Sequence, residues 1–154
     1  MKLKSFMHII TGLSGILLLA MCQDSPFFHR FAKVDRDGWH SDSAAVFELP
    51  VYQKDCHANV DVWIRSTAEY TSESLTLVAT AECGGNMVWR DTLSIHLYDD
   101  KGKCTGTGFP FTEYHIEAKA LEIKADTNYT IRIRHIMRDN PVRGITACGI
   151  RLSE

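Results

Sequence analysis

The sequence predicts an all-β protein, an antiparallel β-sandwich of jelly-roll-like type with seven or eight strands. Three observations predict it. Side chains alternate apolar and polar with period two in one segment after another; clusters of Asp, Asn, Gly and Pro separate those segments; and no strong helical segment follows the N-terminal leader. The composition suits one core: 154 residues, 45% hydrophobic and 23% charged, with 4 prolines, 10 glycines and no low-complexity run.

The first element is the leader, residues 1–21. Lys2 and Lys4 make a positive start and Ile9 to Met21 is an apolar stretch broken by Gly12 and Gly15, the pattern of a signal peptide. Its 13 residues fall short of the about 20 that a membrane-spanning helix needs. Leu19-Ala20-Met21-Cys22 then resembles a bacterial lipobox, with Met21 where a small residue is usual, and makes Cys22 the expected lipidation site. Without Lys2 and Lys4 the chain carries 15 basic and 19 acidic residues, −4, a balance that argues against a nucleic-acid partner.

Residues 22–42 have no clean period and read as a lipid-anchored tether and lead-in, with Phe27, Phe28, Phe31 and Trp39 available to dock on a domain. The β-sandwich domain is expected over 43–154. Ala45-Phe47-Leu49, Val60-Val62-Ile64, Leu75-Leu77-Ala79-Ala81 and Leu93-Ile95-Leu97 each form one face of an alternating segment. Asp99-Asp100-Lys101-Gly102 supplies hairpin chemistry. Ile116 to Ala125 reads as a weaker strand, although Glu117 to Lys124 has helical propensity. Tyr129-Ile131-Ile133-His135 is the clearest strand, and Asp139-Asn140-Pro141 turns it into a last one at 145–152, a closing hairpin.

The order of particular residues carries a resemblance. Trp39 with Phe47, Ile64-Arg65 with Tyr70 and Leu75, Asp91-Thr92-Leu93 with Leu97-x-Asp99-x-x-Gly102 and Gly106-x-Gly108, and finally Tyr129, Met137-Arg138, Gly144-Ile145 and Gly149-Ile150 span most of the chain. In this set the chain resembles the GldH family of gliding motility lipoproteins from Bacteroidetes-type bacteria. Cys104 stands where the family has a tryptophan and His135 where a glutamine is common. The resemblance implies a cell-envelope lipoprotein, anchored by lipid to the outer or cytoplasmic membrane and facing the periplasm, in or beside a motility and secretion apparatus. Ser43 and Thr92, in Asp-Ser-Ala and Asp-Thr-Leu, resemble O-glycan acceptors of such envelope proteins.

Five cysteines are an awkward number for an exported chain, and assigning Cys22 to lipid leaves four. Cys56, Cys83, Cys104 and Cys148 lie 27, 21 and 44 residues apart, without the close pairs of a zinc site, so no metal is expected. They are either disulfides or buried thiols. If a disulfide forms, counting the strands as an up-and-down meander favours Cys56 with Cys83, at one end of the sandwich, with Cys104 at the other.

No nucleophile elbow, zinc-binding helix or phosphate loop is present, and no catalytic residue or cofactor is expected. Asp55-Cys56-His57 sets a thiol beside an imidazole, but neighbouring strand residues point to opposite faces. Gly102, Gly106 and Gly108 read as turn and bulge rather than as an anion cradle. Arg132 and Arg134 share a strand face and Arg138 lies near that line. They form either a solvated face offset by Glu117, Glu122 and Asp139, or a surface for an anionic ligand or another envelope protein. Trp63, Trp89 and Tyr98 raise the alternative of a glycan-binding row. The sequence therefore favours a non-catalytic scaffold or adaptor, with glycan binding second.

Overall fold

The computed structural model describes residues 27–154; the expected signal peptide and the expected lipidation site, Cys22, lie outside the described residues. Eight strands follow one another: β1 (Phe28–Lys33), β2 (Ala45–Glu48), β3 (Cys56–Ser66), β4 (Ser74–Cys83), β5 (Asn86–His96), β6 (Thr112–Ile123), β7 (Tyr129–His135) and β8 (Ile145–Ser153). They form two four-stranded antiparallel sheets, ordered β1-β8-β3-β6 and β2-β7-β4-β5. First pairs with last, second with seventh, third with sixth and fourth with fifth. This nesting, a long hairpin rolled over on itself, is the jelly roll expected.

Period-two patterning explains the core. Ala58, Val60, Val62 and Ile64 of β3, Leu75 and Leu77 of β4, Ile131 and Ile133 of β7, and Cys148, Ile150 and Leu152 of β8 are buried between the sheets. Each fully buried Ile, Leu or Val contributes roughly 1.5–3 kcal/mol by leaving water. The segment with helical propensity is β6, because its alternate side chains Tyr114, Leu121 and Ile123 have a core to face.

The roll corrects several expectations. Strand β1 lies inside the expected tether, so the sandwich begins well before residue 43. Its period is hidden because its outer face is also covered: Phe31 packs over Gly149 of β8, where a Cβ would meet the phenyl ring at 2.6 Å. The last two strands are not a hairpin. Strand β7 belongs to the second sheet and β8 to the first, and residues 136–144 carry the chain between them. Asp99–Gly102 is the tip of a small excursion closed by a Tyr98–Cys104 bridge, with Asp99 Oδ1 accepting from the amides of Lys101 and Lys103. The tight hairpin is instead β4–β5, where Gly84 and Gly85 take φ +57° and +83°, left-handed angles that suit glycine. That signal was present in the sequence as Gly-Gly between two alternating segments.

The meander is likewise replaced, yet the ends of the sandwich come out as counted, since successive strands alternate in direction. Cys56 opens β3 and Cys83 closes β4 at the end where the chain enters, Cys104 lies at the other end, and Cys148 is in the core. All four are free thiols in this structure.

One side of the sandwich is held shut by side chains. Strand β6 has an extra residue opposite β3, where Ala58 faces Leu121 and Val60 faces Ala118. At this bulge the edge backbone is taken up by β5 of the other sheet. Asp91 Oδ2 accepts from the Lys119 amide at 2.8 Å, and Trp89 Nε1 donates to the Ala120 carbonyl at 3.1 Å. The clasp covers backbone groups that would otherwise offer a template for pairing.

Candidate functional site

The outer face of the second sheet gathers the arginines. Arg132 and Arg134 point away from the core between their buried neighbours Ile131, Ile133 and His135. In register, Arg132 lies between Val46 of β2 and Thr80 of β4, and Thr80 in turn faces Arg90 of β5. Arg134 lies opposite Val78, which faces Thr92. The face thus acquires a third arginine, Arg90, that the sequence reading missed because it stands two strands away. Arg138 is exposed beyond the end of β7.

Two of the three acids expected to offset these charges lie elsewhere, and the third, Asp139, next to Arg138, takes part in no ion pair among the described residues. Glu117 and Glu122 are on β6, in the other sheet, where Glu122 lies 3.6 Å from His57 and 3.8 Å from Lys124. The acid that does meet the face is Glu82, with Oε2 3.5 Å from Arg132 Nε. Such an exposed pair stabilises by at most about 1 kcal/mol. Among the described residues Arg90, Arg134 and Arg138 take part in no ion pair. What this arrangement can do is offer planar donors to an anionic group on a rigid sheet.

Trp63, Trp89 and Tyr98 do not form one row. Trp63 is on the outer face of the first sheet, between His115, stacked at 4.9 Å and 23°, and His29 at 5.9 Å and 48°. The His115 imidazole therefore occupies one of the faces a sugar would stack on. Trp89 belongs to the inter-sheet clasp, and Tyr98 lies at the end of the sandwich remote from chain entry.

The remaining singled-out residues are separated in the same way. Asp55 accepts from the Ala125 amide at 2.8 Å and from Lys124 Nζ at 3.0 Å, and these donors, the amide first, hold its carboxyl below the usual range. Burial pushes the Cys56 thiol up, against the thiolate a nucleophile needs, while His57 points outward to Glu122. Gly102 and Gly108 have φ +74° and +106°, and a Cβ on Gly106 would meet Thr112, Tyr114 and the Glu113 carbonyl, which gives these glycines structural reasons. Cys104 Sγ lies 3.3 Å from the Tyr114 hydroxyl; burial first, then the thiol, pushes that tyrosine up to about 12. Ser43 and Thr92 are both exposed, Thr92 beside the arginine face.

His135, in the position where the resemblance has glutamine, is buried. Its Nδ1 accepts from the Met137 amide at 3.3 Å, which leaves Nε2 to donate to the Trp39 carbonyl at 2.8 Å. The ring is thus neutral, and burial lowers its affinity for a proton below the ordinary 6.5. As pH falls through that value the unfolded chain binds a proton that the folded ring refuses. Stability therefore declines with falling pH until the folded ring itself titrates. His135→Gln keeps a donor and an acceptor on one side chain but does not titrate. Its melting temperature is expected to fall less than the wild type's between about pH 7 and 5; an equal fall in both proteins, followed by calorimetry, rejects the assignment.

Fold and face together define a jelly-roll β-sandwich domain with a cationic sheet face. The chain belongs to the GldH lipoprotein family, whose sequence profile matches residues 26–152. It is 27% identical over 153 residues to the gliding motility lipoprotein GldH of Flavobacterium johnsoniae, covering 92% of this chain and 96% of that relative. Among solved structures it is similar to a CocE/NonD family hydrolase from Staphylococcus aureus, with TM-score 0.41 and 13% identity, over 83% of this chain and 31% of the hydrolase, about a third of its length. It is also similar to dimeric latent PorU from Porphyromonas gingivalis, with TM-score 0.35 and 7% identity, over 84% of this chain and 13% of PorU.

Proposed function

We propose that this chain is a non-catalytic adaptor of the cell envelope, held on a membrane by lipid on Cys22 and contacting other proteins of a gliding motility or secretion apparatus. The observation that carries the reading is the outer face of the second sheet, where Arg90 and Arg134 have no ion-pair partner among the described residues and Arg132 has only Glu82, with Arg138, likewise in no ion pair among them, exposed beyond the end of β7. Unpaired guanidinium groups on a rigid sheet are suited to carboxylates of a partner protein, and long-range attraction would speed the encounter. The name of the Flavobacterium johnsoniae relative supports a place in gliding motility. A glycan on Thr92 would cover this same face, so modification there and partner binding exclude each other.

The test is crosslinking in the native cell followed by mass spectrometry, with and without Arg90, Arg132, Arg134 and Arg138 changed to Ser. Envelope proteins recovered with the wild type are expected to be depleted in the variant. Recovery of the same abundant proteins from both rejects the arginine face. A parallel arm follows radiolabelled fatty acid, which is expected in the wild type and absent from Cys22→Ser; label retained in that variant rejects the anchor.

A further inference from the structure

At the end of the sandwich remote from chain entry, Phe109 is 97% exposed, with Phe111 at 44% and Tyr98 at 42%. Loops that carry an apolar side chain into water usually fold it back, and this one is built so that it does not. Thr107 and Glu113 exchange two backbone hydrogen bonds, of 3.0 and 2.7 Å, and close residues 108–112 into a short loop. Gly108, at φ +106°, lies so close to the Phe111 carbonyl that a Cβ would meet it at 2.8 Å. Below, Glu113 accepts from Arg65 Nε at 2.6 Å, and the Arg65 guanidinium rests 4.0 Å over the Phe31 ring, which ties the foot of the loop to the outer face of the first sheet. Phe109 is held out in advance, so little conformational freedom is lost when it is covered.

We propose that Phe109, flanked by Phe111, is the anchor with which this domain docks into an apolar, polar-rimmed pocket of another envelope protein. The proposal rests on the adaptor reading and on the anchor at Cys22. Two features choose a protein over a lipid surface. The chain enters the sandwich at Phe28, whereas β6 begins at Thr112 beside Ser66, the far end of the 11-residue β3. That strand length sets the tip on the order of 35 Å from chain entry, so in a domain standing upright on the five residues from Cys22 to Phe27, which reach at most about 18 Å, the tip stands clear of the membrane. The nearby charges, Asp99, Asp100, Lys101 and Lys103, cancel, and so do not draw the loop to anionic head groups. A second copy is also disfavoured. One groove that could receive the tip, lined by Phe28, Phe47, Leu49 and Pro50 with His29, Arg30 and Glu48, about 710 Å³, lies at the chain-entry end, so upright copies anchored in one membrane hold the tip and this groove at opposite heights.

The experiment places a photoreactive phenylalanine analogue at position 109 of the full chain in native cells, with Val51, half exposed at the chain-entry end, as the control position. One discrete protein adduct is expected from position 109, at least about fivefold above that from position 51, and it is expected to fall by a similar factor with Phe111→Ser. The captured protein, identified and purified, is then titrated with the full chain in detergent. Phe109→Ser is expected to weaken binding about ten- to a hundredfold, and Phe109→Leu by only a few-fold, with both variants melting as the wild type does. Equal adduct yields from the two positions, adducts only with lipid or with a second copy, or unchanged binding by Phe109→Ser overturn the proposal. Binding that falls with Arg132→Ser and Arg134→Ser but not with Phe109→Ser overturns it while the adaptor reading stands.

Discussion

Gly144→Val is expected to destabilise the domain by about 4 kcal/mol or more, a large share of the roughly 5–15 kcal/mol that holds a domain of this kind together. Gly144 has φ +81°, where a β-branched residue is strained, and a Cβ there would meet the Tyr70 amide nitrogen at 2.2 Å and the Glu69 carbonyl carbon at 2.7 Å. The obstacle is backbone, so no rotamer change relieves it. The contact cannot simply open either, because the Gly144 carbonyl accepts from the Thr67 amide at 2.8 Å and so stitches the β7–β8 crossover to the β3–β4 loop. Urea unfolding measures the effect: the midpoint falls while the slope is retained. A midpoint matching the wild type's would show that the crossover does not need this approach.

The second large effect is expected at Trp39, which is 3% exposed although it lies outside the eight strands. Its backbone exchanges hydrogen bonds of 2.8 Å with Val142, its indole nitrogen donates to the Ser43 carbonyl at 2.7 Å, and its ring meets His135 edge-on at 5.6 Å. The residue thus closes the end of the core where the β1–β2 and β7–β8 crossovers meet. Trp39→Ala removes the ring and leaves a cavity, at a cost of about 3–5 kcal/mol. For a domain of this size that lowers the melting temperature by roughly 10–20 °C. Trp39→Phe restores most of the volume but leaves the Ser43 carbonyl without its donor, and is expected to lose about 1–2 kcal/mol. Equal losses in the two variants would mean that the hydrogen bond, not the packed volume, dominates there.

The orientation of side chains was legible in the sequence because it is local. In Tyr129-Ile131-Ile133-His135, in Val60-Val62-Ile64 and in Leu75-Leu77-Ala79-Ala81 the period of two follows from the geometry of one strand, and one buried face suffices to impose it. Strand β1 escaped because Phe31 covers the outer face, so that apolar residues appear on both sides of it. Most of the arginine set was legible for the same local reason, Arg132 and Arg134 being two apart on one strand and Arg138 just beyond its end. Arg90 was not, since its place beside them depends on β4 lying between β5 and β7. Trp89 looked like a ligand-binding aromatic and proved to be a clasp, because its partner, the Ala120 carbonyl, is exposed only by a bulge in a strand of the other sheet.

By itself the sequence determined which side chains of the alternating segments face inward, and a family order of motifs that the sequence profile matches over residues 26–152. Only the tertiary structure decided which strands are neighbours. Backbone ladders are alike for every pair of strands, so a sequence of alternating segments allows a meander and a jelly roll equally well. The choice falls to the crossovers and closures, to Gly144 against Tyr70, Trp39 under His135, and Trp89 and Asp91 across the β5–β6 side, whose contacts join residues from about 30 to 100 positions apart and exist only once the roll has formed.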